Sequence, residues 1–193
     1  MTTQLRVKVI IGSTRQKRYS DKPASWIAEK AKARGLDVEV LDLRDYPMPF
    51  YDEPVTPSSV KDGAYANPAV RTWAEKIGEA DAFIIVTPEY NRGPAAVMKN
   101  ALDQVSAEWN RKPIAFVGHG STSATRAIEQ LRMNAIELQM APIRAAVYLP
   151  PSWTSLAEDG SIKPEILADN DAAAETLLEQ LTWWGDALKA ARG

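Results

Sequence analysis

Four residues within eight positions, Ser13, Arg15, Arg18 and Ser20, have the types and spacing to hold an anion. They follow the apolar run Val7-Lys8-Val9-Ile10-Ile11 and precede a helical pattern carrying Trp26, Ile27 and Ala31. A strand, a polar turn and a helix start place backbone N–H groups, hydroxyls and the positive end of a helix dipole around one point. Two guanidinium groups add charge and can grip phosphate oxygens in pairs. The other reading is a turn whose Gly and Ser serve conformation and capping alone, with solvated arginines. Neither a Gly-Lys-Ser/Thr loop nor a G-x-G-x-x-G turn follows this strand, so triphosphate and dinucleotide turns are excluded here.

Two further loops carry polar groups suited to a ligand. Pro88-Glu89-Tyr90-Asn91 follows the most apolar run of the chain, Ala82 to Thr87. A proline, then Asn and Gly, predicts a tight turn with exposed backbone groups that could meet the edge of a planar heterocycle, with Tyr90 beside it. An ordinary turn has the same composition. Gly118-His119-Gly120-Ser121 ends the next apolar run. Its glycines allow close backbone approach, and the hydroxyl residues that follow predict caps for a helix. His119 has no carboxylate nearby in sequence to orient it as a base, which favours ligand stacking or a plain hydrogen bond. No residue is named as a chemical catalyst.

The elements that must position these loops alternate throughout. Strands are predicted at Val7–Ile11, Val38–Leu43, Ala82–Thr87, Pro113–Gly118 and Ile143–Leu149. Between them lie a helix ending at Gly35 and one opening at Asn67-Pro68 with Val70, Trp73, Ile77 and Ala80 on one face. Next come a helix over Pro94–Ser106 and one with a stripe of Ile128, Leu131, Ala135 and Leu138; the last runs near Asp169–Ala190, offering Leu177, Leu181, Trp184 and Leu188. The pattern predicts a single α/β domain over residues 1–193, a three-layer sandwich around a five-stranded parallel sheet of strand order 2-1-3-4-5. Ligands of such a sheet sit where the winding reverses, beyond the carboxyl ends of strands 1 and 3. The proline- and aromatic-rich stretch from Tyr46 to Pro57 is either functional or a connector stiffened by prolines.

Composition removes several classes. With no cysteine and one histidine, disulfides, thiolate chemistry and zinc are not expected, and no metal site is assigned. A net charge of -2 offers no attraction to nucleic acid or to an anionic membrane. No apolar run is long enough to span a bilayer, and Met1-Thr2-Thr3-Gln4 runs into the first strand without a leader pattern, so a cytoplasmic protein is expected.

Gly12-Ser13-Thr14-Arg15 with Arg18 and Ser20, Pro88-Glu89-Tyr90-Asn91 leading to Lys99-Asn100-Ala101-Leu102-Asp103, and Arg126-Ala127-Ile128-Glu129-Gln130-Leu131-Arg132 together resemble the NAD(P)H-dependent FMN reductase family over roughly residues 5–150. The resemblance implies a flavodoxin-like fold and transfer of a hydride from NADPH or NADH through bound FMN to a small-molecule electron acceptor (a flavin, quinone, azo compound or metal oxyanion) in ping-pong order. It implies that Ser13, Arg15, Arg18 and Ser20 bind the FMN phosphate, and that Pro88, Glu89, Tyr90 and Asn91 line the isoalloxazine. Gly118, His119, Gly120 and Ser121 would close the far side. It also implies a homodimer or homotetramer with the flavin near the subunit contact; Trp109 and the loop from Tyr46, which no family motif fixes, are candidates for an added wall there. The chain departs from the family pattern at Ser123-Ala124, where Gly-Gly is frequent, at His119, where tyrosine is frequent, and in the order Gly93-Pro94-Ala95. The rival readings are a flavodoxin-like electron carrier and a fold relative that has lost flavin.

Overall fold

The computed structural model describes residues 4–193, so the expected lead-in Met1-Thr2-Thr3 lies outside the described residues. Five parallel strands form one sheet in the order β2-β1-β3-β4-β5. They are β1 (Arg6–Ile11), β2 (Asp37–Asp42), β3 (Ala82–Pro88), β4 (Pro113–His119) and β5 (Ala141–Leu149). Helices α1 (Asp21–Ala33), α2 (Pro68–Glu79), α3 (Ala96–Asp103), α4 (Thr125–Glu137), the short α5 (Ser152–Ser155) and the long α6 (Pro164–Arg192) complete the chain. The flavodoxin-like arrangement expected from the alternation is the one observed.

Strand β3 is buried at every position because layers cover both of its faces, which is why it reads as a continuous apolar run. Its alternate side chains feed different cores. Phe83 and Ile85 join Trp73, Met98, Leu102 and Phe116 on one face; Ile84 and Val86 join Ile27, Leu177 and Leu181 on the other. At the sheet edge β2 is mostly part-exposed, as its polar alternation predicts.

Local signals account for the helix ends. Gly35, at φ +82°, closes α1: its N–H donates to Lys32 O, and Leu36 N–H donates to Ala31 O. Asn67 caps α2 by accepting from Ala69 N–H, with Pro68 in the first turn. Strand β5 starts earlier than predicted and carries a register shift opposite Ile114–Phe116. Its displaced backbone is held by Arg132, which donates to the carbonyls of Ile143 and Arg144, and by Gln180, which accepts from Ala145 N–H.

Three expectations fail. Helix α3 is shorter than Pro94–Ser106, running only from Ala96 to Asp103 with Met98, Ala101 and Leu102 buried. The buried stripe of α6 runs through Ala174, Leu177, Leu178, Leu181 and Gly185. Trp184, one position off that stripe, stays 40% exposed. Gly185 lets the helix approach, since a Cβ there would meet Leu5 Cδ1 at 2.8 Å. Trp109 is no wall for a ligand or subunit: it is fully buried, edge-on to Phe83 (ring centroids 4.7 Å apart) and to Trp73. Among the described residues no helix is long and apolar enough to cross a membrane.

Candidate functional site

Parallel register delivers the three loops to one end of the sheet. Ile11 pairs with Val86, Thr87 with Gly118 and Pro88 with His119, so β1, β3 and β4 finish at a common level. Two glycines permit the close approach this needs. Gly12 N–H donates to Val86 O at 2.8 Å, and a Cβ on Gly12 would lie 3.0 Å from that carbonyl. A Cβ on Gly118 would lie 2.3 Å from Ser123 O, so the third loop folds back over β4 only with glycine there.

Side chains then tie the loops to one another in a closed triangle. Ser13 Oγ lies 2.8 Å from the Tyr90 hydroxyl, joining the first loop to the second. Ser20 Oγ lies 2.8 Å from His119 Nε2, joining the first to the third. Arg126 at the start of α4 donates from Nε to Glu89 Oε1 at 2.6 Å and from its backbone N–H to Oε2 at 3.1 Å, joining the second to the third. The expected convergence is present.

The roles within the first loop differ from the expectation. Arg18 is 5% exposed, donates to Asp21 and Ser13 O, and grips both oxygens of Asp42. Burial opposes its charge, but the bonds to Asp42 and Asp21 prevail and hold its pKa above the ordinary value. Burial likewise raises Asp42, and the bond from Arg18 outweighs it, leaving the carboxyl below its usual range. With both neighbours satisfied, Arg18 is a strut between the turn and the end of β2, at a position where the resemblance implied a phosphate ligand. Arg15 is exposed, with its guanidinium carbon 6.0 Å from the Tyr90 ring centroid. Ser13 and Ser20 are buried (0% and 1% exposed), each with its hydroxyl on a protein partner.

In the second loop Tyr90 and Gly93 exchange two backbone bonds around Asn91 and Arg92, at φ +50° and +72°. That is a two-residue hairpin turn with Asn91 at its first central position and Gly93 closing it, the tight turn expected from these residues. Gln130 Nε2 donates to Arg92 O and steadies it. Glu89 faces α4 rather than a ligand. Burial pushes its carboxyl up, and Arg126 and Thr122 more than reverse this. The expected hydroxyl cap of α4 is absent: Ala124 stands at the cap in left-handed conformation, and Glu89 takes the amide of Arg126 instead.

In the third loop His119 is 6% exposed, with the Tyr19 ring edge-on at 5.0 Å. Burial, then the charge of Arg15, pushes its imidazole down to about 4, so it is neutral near pH 7. Gly120, at φ +126°, faces open space where a Cβ would stand, and Ser121 is exposed.

An FMN phosphate is compatible with this turn. Arg15 is exposed, the backbone amides of Thr14, Gln16 and Lys17 donate to no backbone carbonyl among the described residues, and the N-terminus of α1 is adjacent. Tyr51 and Pro49 of the long loop are pinned by Asn100 of α3: Tyr51 N–H donates to its Oδ1 at 3.1 Å, and its Nδ2 donates to Pro49 O at 2.8 Å. Sequence reasoning missed Asp21, Asp42 and Tyr19. Only the parallel pairing of β1 with β2, which brings Asp42 beside Ile11, could have flagged one of them.

Comparison with known proteins agrees with this geometry. The family model described as NADPH-dependent FMN reductase matches residues 5–154. An NAD(P)H-dependent FMN reductase of Schizosaccharomyces pombe is 38% identical over 148 residues, covering 75% of this chain and 74% of that protein. One of Saccharomyces cerevisiae is 30% identical over 183 residues, covering 90% and 95%. Among solved structures, a flavoenzyme NAD(P)H:(acceptor) oxidoreductase of Paracoccus denitrificans superposes with a TM-score of 0.70 at 24% identity, covering 96% of this chain and 98% of that one, which supports the fold. The chain belongs to the NADPH-dependent FMN reductase family.

Proposed function

We propose that this single-domain protein is an NAD(P)H-dependent reductase that holds FMN where the three loops meet and reduces a small acceptor of the quinone or azo class. The observation that carries this is the triangle of bonds among Ser13–Tyr90, Ser20–His119 and Glu89–Arg126, which gathers the family's separated motifs at one place. Relatives named 2-hydroxy-1,4-benzoquinone reductase and FMN-dependent NADPH-azoreductase support the acceptor class.

FMN, when bound, supplies the redox chemistry, accepting a hydride from NADPH or NADH and giving electrons to the acceptor. The chain's part is placement and charge. Arg15 and the amides of the first turn would hold the phosphate, with the Ser13 and Ser20 hydroxyls beside it. Backbone groups of Pro88 to Asn91 and of Gly118 to Ser121 would meet the ring, where oriented donors favour negative charge. Arg18 fixes the Ser13 carbonyl, and Glu89 fixes the second loop, so neither moves a proton. The reaction would run in ping-pong order, the nicotinamide leaving before the acceptor binds.

The same reading takes the protein as a homodimer or homotetramer, with Phe50 and Val55 of the long loop, 76% and 56% exposed, as apolar surface that assembly would cover. The test is the visible spectrum of the protein loaded with FMN, before and after anaerobic NADPH. Rapid bleaching without a partner protein supports a reductase. A spectrum untouched by NADPH and NADH points to an electron carrier, and a protein that takes up no FMN contradicts the flavin reading.

A further inference from the structure

Ser20 stands where α1 begins but does not cap it. Its φ and ψ of -55° and -26° are helical, and its side chain bonds to no helix amide. Its hydroxyl lies instead against His119 Nε2, ninety-nine positions on, and both residues are buried. A buried serine that gives up capping for a histidine on another loop calls for a reason. Nucleophilic chemistry is not that reason. The charged group acting on His119 is Arg15, which disfavours the imidazolium such a base would become, and no carboxylate orients the ring. No cluster of metal-ligating side chains exists among the described residues either.

Hydrogen counting supplies the reason. A serine hydroxyl has one hydrogen and two lone pairs, and a neutral imidazole has one donor and one acceptor nitrogen. If Ser20 gives its hydrogen to Nε2, none is left for a ligand. If Nε2–H gives its hydrogen to Ser20 Oγ, the serine hydrogen is free to meet an anion. We propose that His119 is a positioning residue for the mononucleotide phosphate: its Nε2–H donates to Ser20 Oγ and directs the Ser20 hydrogen onto a phosphate oxygen. The inference rests on the FMN reading above and adds a residue with a role different from ring contact.

The surroundings suit that task. Tyr19 seats the imidazole edge-on at 5.0 Å, and Pro88 of β3 and Leu149 of β5 flank it in the sheet. Arg15 is the charged group that faces it, and it keeps the ring neutral alongside burial. His119 therefore adds orientation to the site while Arg15 supplies the charge.

The experiment compares FMN with riboflavin, which has the same ring and ribityl chain without the phosphate, in fluorescence titrations of the full chain. His119→Phe keeps an aromatic ring against Tyr19 and removes the donor. It should weaken FMN by about five- to tenfold, the worth of one hydrogen bond, and leave riboflavin unchanged. His119→Gln retains an amide N–H and should recover most of the loss. Ser20→Ala should lose a similar factor, and adding His119→Phe to it should lose no more. Equal weakening of FMN and riboflavin, no change in either, or additive losses in the double variant would overturn the inference. A wild-type protein that binds riboflavin as tightly as FMN would instead sink the phosphate reading of the first turn, and this inference with it.

Discussion

The hydroxyl of Tyr90 lies 2.8 Å from Ser13 Oγ, so a side chain of the second loop rests on the turn that would hold the phosphate. The same Ser13 oxygen accepts from Arg15 N–H at 3.3 Å. If the Ser13 hydrogen lies on the phenol oxygen, a ligand that takes that hydrogen must displace the phenol, and the lost bond subtracts from its binding. Tyr90→Phe removes that competitor while keeping the ring. FMN affinity should rise by about 0.5–1.5 kcal/mol, the net value of a neutral hydrogen bond. Flavin-fluorescence titration of both proteins measures it; weaker binding by Tyr90→Phe would mean that the hydroxyl contacts FMN itself.

Arg15 and Arg18, three positions apart, should respond in opposite ways to truncation. Arg15 is exposed, so Arg15→Ala should leave the melting temperature in place and weaken FMN by about 1.5–3 kcal/mol, the range for a charged hydrogen bond. Arg18 is enclosed by Asp21, Asp42 and the Ser13 carbonyl. Removing it strands a part-buried carboxylate, which should cost about 3 kcal/mol of stability. Thermal melts beside titrations separate the two. If Arg18→Ala weakened FMN without lowering the melt, the strut assignment would be wrong.

That contrast marks how far the sequence could be read. The order of the strands followed from alternation, length and crossover hand, and the loops followed from the ends of β1, β3 and β4, because buried runs and turn residues are local signals. Which arginine faces solvent was not local. It depends on Asp42, which pairing with β1 brings beside Ile11. Glu89 was legible as a loop residue, but its partner lies 37 positions away. Trp109 and Trp184 failed oppositely for one reason: burial of a tryptophan depends on where its helix or turn meets the sheet, and composition does not say.

Ser123 and Ala124 adopt φ of +50° and +58°, the left-handed region where a Cβ costs about 1–2 kcal/mol. A Gly-Gly pair would have a backbone reason at these positions, and this chain carries the strain. Ser123 is half-buried and Ala124 fully so. Replacing Ala124 would forfeit a buried methyl worth about 0.8 kcal/mol, which offsets the relief. Ser123→Gly is the cleaner variant and should stabilise the fold by up to about 1 kcal/mol after the entropy of glycine is counted. A melting temperature about 2–4 °C higher is expected for a chain of this size. A lower one would show that the Ser123 side chain contributes more than its backbone costs.

His119 adds to the acid sensitivity of the fold. Burial first, and Arg15 second, lower its pKa to about 4, against an ordinary 6.5. Between those values the unfolded chain holds a proton on this residue that the native protein does not. Its contribution is therefore complete above pH 6.5 and drains away as the pH falls toward 4, reaching about 3 kcal/mol. Tyr19, whose phenol burial pushes up, and Ser20, which does not titrate, are the groups in contact with the ring, so the change belongs to the imidazole. Urea unfolding of wild type and His119→Gln at pH 7 and pH 4.5 isolates it, since carboxylates such as Glu89 and Asp42 contribute to both proteins alike. Wild type should lose about 2–3 kcal/mol more than the variant on acidification. Equal losses would mean that His119 is charged in the folded protein, and the neutral Nε2–H donor to Ser20 would go with it.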